Sequence, residues 1–181
     1  MSRGSVTCWT TVIAGCAFAV SANAQVIARP DRFGNAMEYL LPAAAVALTL
    51  HNEDMEGLRQ FGYTALLTIG STELLKHGTN SKGPDGSGSA FPSGHTAIAF
   101  ASAAYVNERY GLGPAVPLYA LAALTGYSRV HTHHHFTKDV VGGAAVGIGS
   151  ALIMTHPLGP RSTASMSYAR DALAINYSTS W

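Results

Sequence analysis

The sequence predicts an all-α protein: a bundle of about five helices with the functional site at one end, followed by a short C-terminal β-hairpin or strand. Long apolar stretches separated by glycine and proline predict the helices, and a tail of alternating polarity predicts the hairpin. Of the 181 residues, 48% are hydrophobic and only 12% are charged, against about 25% charged in an ordinary soluble domain. The formal net charge of +1 disfavours nucleic-acid binding, because a basic stripe is missing.

Residues 1–24 are typical of a signal peptide, with a cation near the start, an apolar run and the small-residue sequence Ser-Ala-Asn-Ala before Gln25. The run is short for a membrane span, which needs roughly 20 apolar residues. An uncleaved first transmembrane helix is nevertheless an alternative. A lipoprotein signal with lipid on Cys16 is another. Both cysteines lie in this segment, so a mature chain starting at Gln25 would contain no disulfide.

The body of the chain, residues 25–160, is predicted to be one helical domain. Its apolar stretches lie at about 37–50, 58–76, 95–110, 114–127 and 139–155. Because they are apolar on nearly all sides, they must be buried in a bundle or in lipid. The last stretch contains Gly143 and Gly147, and small residues four apart allow close helix packing in membranes. A membrane-embedded or membrane-bound chain is therefore favoured over a tightly packed soluble bundle.

The tail, residues 161–181, alternates in polarity. Leu173, Ile175 and Tyr177 share one parity, and Met166 and Tyr168 can form a partner arm. This pattern predicts a small packed hairpin with its turn at residues 170–171. One hairpin cannot close a membrane barrel, because its edges would stay unpaired.

Polar residues gather at three helix ends, which converge on one side of a bundle. They are Lys76, the segment Pro92-Ser93-Gly94-His95, and the segment from Ser128-Arg129 to Asp139. The free N–H groups of a helix's first turn favour an anion, and Gly94 lets the backbone approach it closely. Ser93 adds a hydroxyl, and Lys76 and Arg129 add positive charge. These groups predict a binding site for a phosphoryl group.

Two histidines and a carboxylate complete this site. His135 and Asp139 are four residues apart, so they share a helix face. A carboxylate bound to one ring nitrogen fixes the tautomer and leaves the other nitrogen free to attack. His95, on another helix, can then protonate the leaving oxygen. We expect His135 to be the nucleophile, Asp139 its orienting group and His95 the acid/base.

These motifs resemble the signature of the type 2 phosphatidic acid phosphatase family, whose superfamily includes bacterial class A acid phosphatases and vanadium haloperoxidases. The second family motif, Pro-Ser-Gly-His, is intact at 92–95. The third, Ser-Arg, five residues, His, three residues, Asp, is intact at Ser128, Arg129, His135 and Asp139. The resemblance covers residues 76–139 and implies a metal-independent phosphatase that forms a phosphohistidine.

The first family motif, a lysine, six residues and Arg-Pro, is incomplete. It begins at Lys76, but Gly83 occupies the arginine position before Pro84. Either Lys82 supplies the missing charge as a phosphate ligand, or the site works with one cation fewer.

Three further histidines, His131, His133 and His134, precede the predicted nucleophile. Clustered histidines often bind zinc, but the family pattern uses only His135. The resemblance therefore implies that the protein needs neither a metal nor another cofactor.

An apolar chain of the bacterial cell envelope suggests a phosphorylated lipid as substrate: phosphatidic acid, a polyprenyl diphosphate or phosphorylated lipid A. The active site would then face the periplasm. One alternative is a soluble periplasmic acid phosphatase acting on small phosphoesters. Another is a non-catalytic family member that binds phosphorylated lipid, which Gly83 would explain. The short chain disfavours a haloperoxidase, and the sequence leaves the oligomeric state open.

Overall fold

The structure, a computed structural model, describes residues 30–86 and 88–158, together with the backbone of 161–169 and 172–180. The predicted signal peptide, residues 1–24, lies outside the described residues. The same holds for Cys16 of the lipoprotein alternative and for the predicted turn at residues 170–171.

Five helices and two strands make up the described chain. They are α1 (Pro30–His51), α2 (Met55–Thr79), α3 (Gly94–Tyr110), α4 (Leu112–His131), α5 (Thr137–Met154), β1 (Arg161–Ala169) and β2 (Ala172–Ser180). The predicted helical fold is confirmed. The helices begin before the apolar stretches do, because polar residues favour helix starts. Pro30 and Asp31 open α1, and the Asp54 carboxylate caps α2 by accepting from Gly57 N at 2.8 Å.

Helix α3 lies at the centre and contacts each of the other four helices. Its buried face is rich in alanine, which leaves room for close neighbours. On α5, a β-carbon at Gly143 would lie 2.5 Å from the Ser93 carbonyl oxygen, and one at Gly147 would collide with the Ala97 carbonyl oxygen. The predicted glycine packing is therefore present between α3 and α5. It brings the first turns of these two helices into direct contact.

A buried ion pair joins the helices at the far end of the bundle. Arg109, in the last turn of α3, donates from Nε and Nη2 to the two carboxylate oxygens of Asp54, each at 2.7 Å. The Tyr110 hydroxyl donates to the same carboxylate at 2.9 Å. Arg109 Nη1 also donates to the His156 carbonyl at 2.8 Å. The α1–α2 turn, the end of α3 and the chain after α5 are thereby held together.

The two strands pair antiparallel. Met166 lies opposite Ile175 and Tyr168 opposite Leu173, which is the pairing expected from the alternating pattern.

Among the helices that the structure describes, α1 and α5 are long and apolar enough to cross a membrane by length and composition. Large apolar side chains are also exposed on the outer faces of several helices. They include Tyr39, Leu66, Leu74, Val141 and Ile153, each more than 60% exposed. Exposed apolar surface of this kind marks a protein or membrane contact.

Candidate active site

The three polar segments meet at one end of the bundle around a cavity of about 660 Å³. Helix α2 contributes Lys76 from its last turn, and α3 contributes Gly94 and His95 from its first. Helix α4 contributes Arg129 near its end, and His135 comes from the turn before α5. The structure thus brings five of the eight predicted site residues to one cavity wall. Two more, Ser93 and Asp139, are fully buried and lie directly behind that wall.

Asp139 is both a helix cap and the neighbour of His135. Its Oδ2 accepts from the Phe136 N–H at 2.9 Å and lies 3.8 Å from His135 Nδ1. Among the described residues, His135 Nδ1 and Asp139 Oδ1 have no hydrogen-bond partner. At 3.8 Å the two groups are beyond hydrogen-bond range, but catalytic contacts are often long in the absence of substrate. A modest tilt of the ring would bring Nδ1–H to the carboxylate.

The environment of His135 favours the neutral imidazole. Burial lowers the pKa of His135, and the positive charge of Arg129 lowers it further. Asp139 and a hydrogen bond to the Ala90 backbone act in the opposite direction without reversing the shift. A neutral imidazole has the free lone pair that a nucleophile needs.

His95 faces a carboxylate that the sequence motifs do not include. Its Nε2 lies 3.1 Å from Glu38 Oε2, on α1. Burial, together with the charges of Arg129, His135 and Lys76, lowers the pKa of His95 to about 4. These effects outweigh the contact with Glu38, so His95 is neutral near pH 7 until an anion enters the site.

Lys76 and Arg129, two of the three predicted cations, are held in place by polar partners. Lys76 Nζ donates to Glu73 Oε1 at 2.8 Å, and Arg129 Nη1 donates to Asn35 Oδ1 at 3.0 Å. Arg129 is only 7% exposed, and its Nε has no hydrogen-bond partner among the described residues. The guanidinium therefore has donor capacity left for an anion in the cavity.

Ser93 ties the predicted phosphate-binding helix start to the nucleophile's helix. Its N–H donates to the Asp139 carbonyl oxygen at 2.9 Å, and its hydroxyl accepts from Thr96 Oγ1 at 3.1 Å. The first backbone donors left for an anion are therefore those that follow Ser93, beginning at Gly94.

This arrangement is the one that the family signature describes, and a sequence comparison agrees: residues 71–161 match the sequence profile of the PAP2 superfamily. The chain belongs to the PAP2 superfamily.

Two curated members of the PAP2 superfamily are similar in sequence. The lipid A 4'-phosphatase of Helicobacter pylori is 31% identical over 143 residues, which cover 72% of each protein. The lipid A 1-phosphatase of Porphyromonas gingivalis is 45% identical over 69 residues, which cover 36% of this chain and 16% of that protein. The crystal structure of Aquifex aeolicus LpxE aligns with a TM-score of 0.62 at 24% identity, covering 73% of this chain and 86% of that one. The predicted family and the predicted phosphatase class are confirmed.

The loop of the incomplete PAP2 motif is different from the rest of the site. Gly83 is buried, whereas Lys82 is exposed and is not among the described residues that line the cavity. The structure does not bring Lys82 to the other predicted ligands, and its role as a phosphate ligand stays a prediction.

His134 lies on the cavity wall next to the predicted nucleophile. Its Nε2 lies 2.7 Å from Asp31 Oδ1, and its Nδ1 lies 3.4 Å from Asp85 Oδ2. It thereby links the start of α1 to the loop before α3. Within the described part of the chain, no three His, Cys, Asp or Glu side chains are grouped so that they could hold a metal ion.

Proposed function

We propose that this protein removes a phosphate from a phosphorylated lipid of the bacterial envelope, of the lipid A class, through a phosphohistidine on His135. Two relatives named as lipid A phosphatases support the substrate class. The observation that carries the proposal is a single cavity with a cationic, histidine-bearing end and an apolar wall.

The apolar wall runs between α1 and α2. It is formed by Tyr39, Pro42, Phe61, Ala65 and Ile69. A lipid whose phosphate lies at the polar end would place its first apolar atoms along this wall. Burying them gains about 25 cal/mol per Å², which a small phosphoester cannot gain. A lipid phosphate therefore fits the cavity better than a small soluble ester.

In the first step, His135 turns Nδ1–H to Asp139, Nε2 gives up its contact with the Ala90 backbone, and Nε2 attacks phosphorus. The P–N bond forms as the bond to the leaving oxygen breaks, and His95 gives its proton to that oxygen. An anionic phosphate favours protonated His95, which compensates for its low pKa in the free enzyme. Lys76, Arg129 and the first-turn N–H groups of α3 stabilise the charge on the non-transferring oxygens.

In the second step, a water molecule attacks the phosphohistidine. His95, now neutral, accepts the water's proton as the P–N bond breaks. Inorganic phosphate leaves and His135 is neutral again. The sum is one ester or anhydride bond hydrolysed by one water.

The apolar outer surface and the two membrane-length helices support association with the membrane. With residues 1–24 as an export signal and residues 25–160 as the catalytic domain, the cavity would face the periplasm. An alkaline phosphatase fusion in the loop between α2 and α3, which lines the cavity, tests this orientation when it is compared with a cytoplasmic reporter fusion at the same site.

The substrate class is tested with the full chain in detergent. Phosphate release is measured on lipid A, phosphatidic acid, a polyprenyl diphosphate and p-nitrophenyl phosphate, with His135→Ala as the inactive control. We expect kcat/KM to be highest for lipid A, and mass spectrometry to show which of its phosphates is lost. Activity should persist with a chelator and be inhibited by vanadate. A preference for p-nitrophenyl phosphate over every lipid would instead support the soluble acid phosphatase.

A further inference from the structure

Thr72, on α2, has a buried hydroxyl without a protein partner. The residue is 3% exposed, and its Oγ1 makes no hydrogen bond to any described residue. The same helix face has threonines whose hydroxyls are satisfied: Thr68 Oγ1 donates to the Thr64 carbonyl at 2.7 Å, and Thr64 Oγ1 lies 3.2 Å from Thr155 Oγ1. Buried polar groups without partners are rare and destabilising, so the Thr72 hydroxyl needs an explanation.

The position of Thr72 explains why its hydroxyl has no protein partner. It lines the cavity one helical turn before Lys76. A β-carbon placed on Gly94 would lie 3.6 Å from Lys76 Nζ and 3.9 Å from Thr72 Cγ2. Both side chains therefore flank the same point, the glycine at which the anion-binding first turn of α3 begins. A threonine in a helix has two favourable χ1 rotamers, so its hydroxyl can turn to this point without strain.

We infer that the Thr72 hydroxyl donates a hydrogen bond to an oxygen of the bound phosphoryl group, on the side of Lys76. The inference rests on the proposed function. The incomplete motif leaves the site short of a donor, because Gly83 has no side chain to supply and Lys82 is exposed, and the Thr72 hydroxyl is an unused donor on the cavity wall. It would replace part of the missing arginine's hydrogen bonding, though not its charge.

The test compares Thr72→Val, which replaces the hydroxyl with a methyl group, with Thr72→Ser, which keeps it. Thr64→Val is the matched control, because its hydroxyl is buried on the same helix but bonds Thr155. Vanadate affinity and the Tm of the vanadate-free protein are measured for each. Hydrogen bonds to charged groups are worth roughly ten-fold or more in affinity, so Thr72→Val should bind vanadate about ten-fold more weakly and Thr72→Ser about as well as the wild type.

The Tm of the vanadate-free variants should not follow their vanadate affinity. Thr72→Val removes an unsatisfied buried group, so its Tm should be unchanged or raised, whereas Thr64→Val should lower the Tm and leave vanadate affinity unchanged. A Thr72→Val protein with wild-type vanadate affinity would overturn the inference while leaving lipid hydrolysis by the wild type intact. A lowered Tm that Thr72→Ser does not restore would also overturn it. If the wild type bound no vanadate, both this inference and the proposed function would be wrong.

Discussion

Replacing Asp139 with asparagine separates its charge from its role as a helix cap. The amide oxygen can still accept from the Phe136 N–H, now at 2.9 Å, so α5 should keep its start. What is lost is a negative charge 3.8 Å from His135 Nδ1. At an effective dielectric constant of about 20, two unit charges at that distance interact by about 4 kcal/mol. Because about 1.4 kcal/mol is ten-fold in rate, and only part of the charge on His135 develops in the transition state, we expect kcat to fall by roughly 10²–10³.

The assay is single-turnover formation of the acid-labile phosphoenzyme, followed alongside steady-state phosphate release. Loss of the helix-terminal charge should lower stability by only about 0.3–1 kcal/mol, so the Tm of Asp139→Asn should stay near that of the wild type. Asp139→Ala also removes the cap, worth about 1 kcal/mol more, and should show the lower Tm of the two. An Asp139→Asn enzyme within a few-fold of the wild-type rate would refute the orienting role and leave Asp139 as a cap alone.

Four further outcomes are expected. His135→Ala should abolish turnover and the phosphoenzyme, while His134→Ala should retain most activity; a dead His134→Ala with an active His135→Ala would show that the wrong histidine was chosen. Because burial lowers the pKa of His135, the acid-side loss of phosphoenzyme formation, measured by rapid quench, should have its midpoint below the value of about 6.5 of an ordinary histidine; an acid-side midpoint at or above that pH would contradict the shift. Lys82→Ala tests the sequence-based ligand role: a ten- to hundred-fold loss of kcat/KM would support it, whereas a change of less than ten-fold, which the exposure of the side chain favours, would leave Lys82 as a loop charge. Asp54→Asn should lower the free energy of unfolding by about 3–5 kcal/mol in denaturant titration, because it leaves Arg109 buried without its charge partner; an effect below about 1 kcal/mol would contradict this.

Most of the site could be predicted because its residues occupy helix ends. An apolar stretch that stops at Lys76 and another that begins after Ser93 identify those ends without any tertiary information. His135 and Asp139 were expected to share a helix face, but His135 lies in the turn before α5 and only Asp139 is in the helix; they are neighbours because the turn and the first turn of α5 are consecutive in the chain. The distances between the motifs, however, are set by how the helices pack.

The groups that the sequence did not reveal are those whose role depends on that packing. Glu38 lies within an apolar stretch and has no motif spacing to His95; the two meet because α1 packs against α3. Thr72 is one of several threonines on α2. It differs from Thr64 in that it lines the cavity, which the sequence does not show. Lys82 was suggested by its charge and its place next to Gly83; its side chain is exposed and does not line the cavity, so its role as a phosphate ligand stays a prediction.

The hydrogen bond from Ser93 N–H to the Asp139 carbonyl has a consequence for protein engineering. The first N–H groups of a helix are usually free to bind an anion. Here the Ser93 N–H already donates to a carbonyl oxygen of α5. The Pro-Ser-Gly-His sequence alone therefore does not determine the geometry of the anion site. A designer who moves this motif to a new scaffold must also transfer the first turn of α5, because that turn supplies the acceptor that aims the remaining donors. The smallest transferable unit of this motif is two helix ends held in one register.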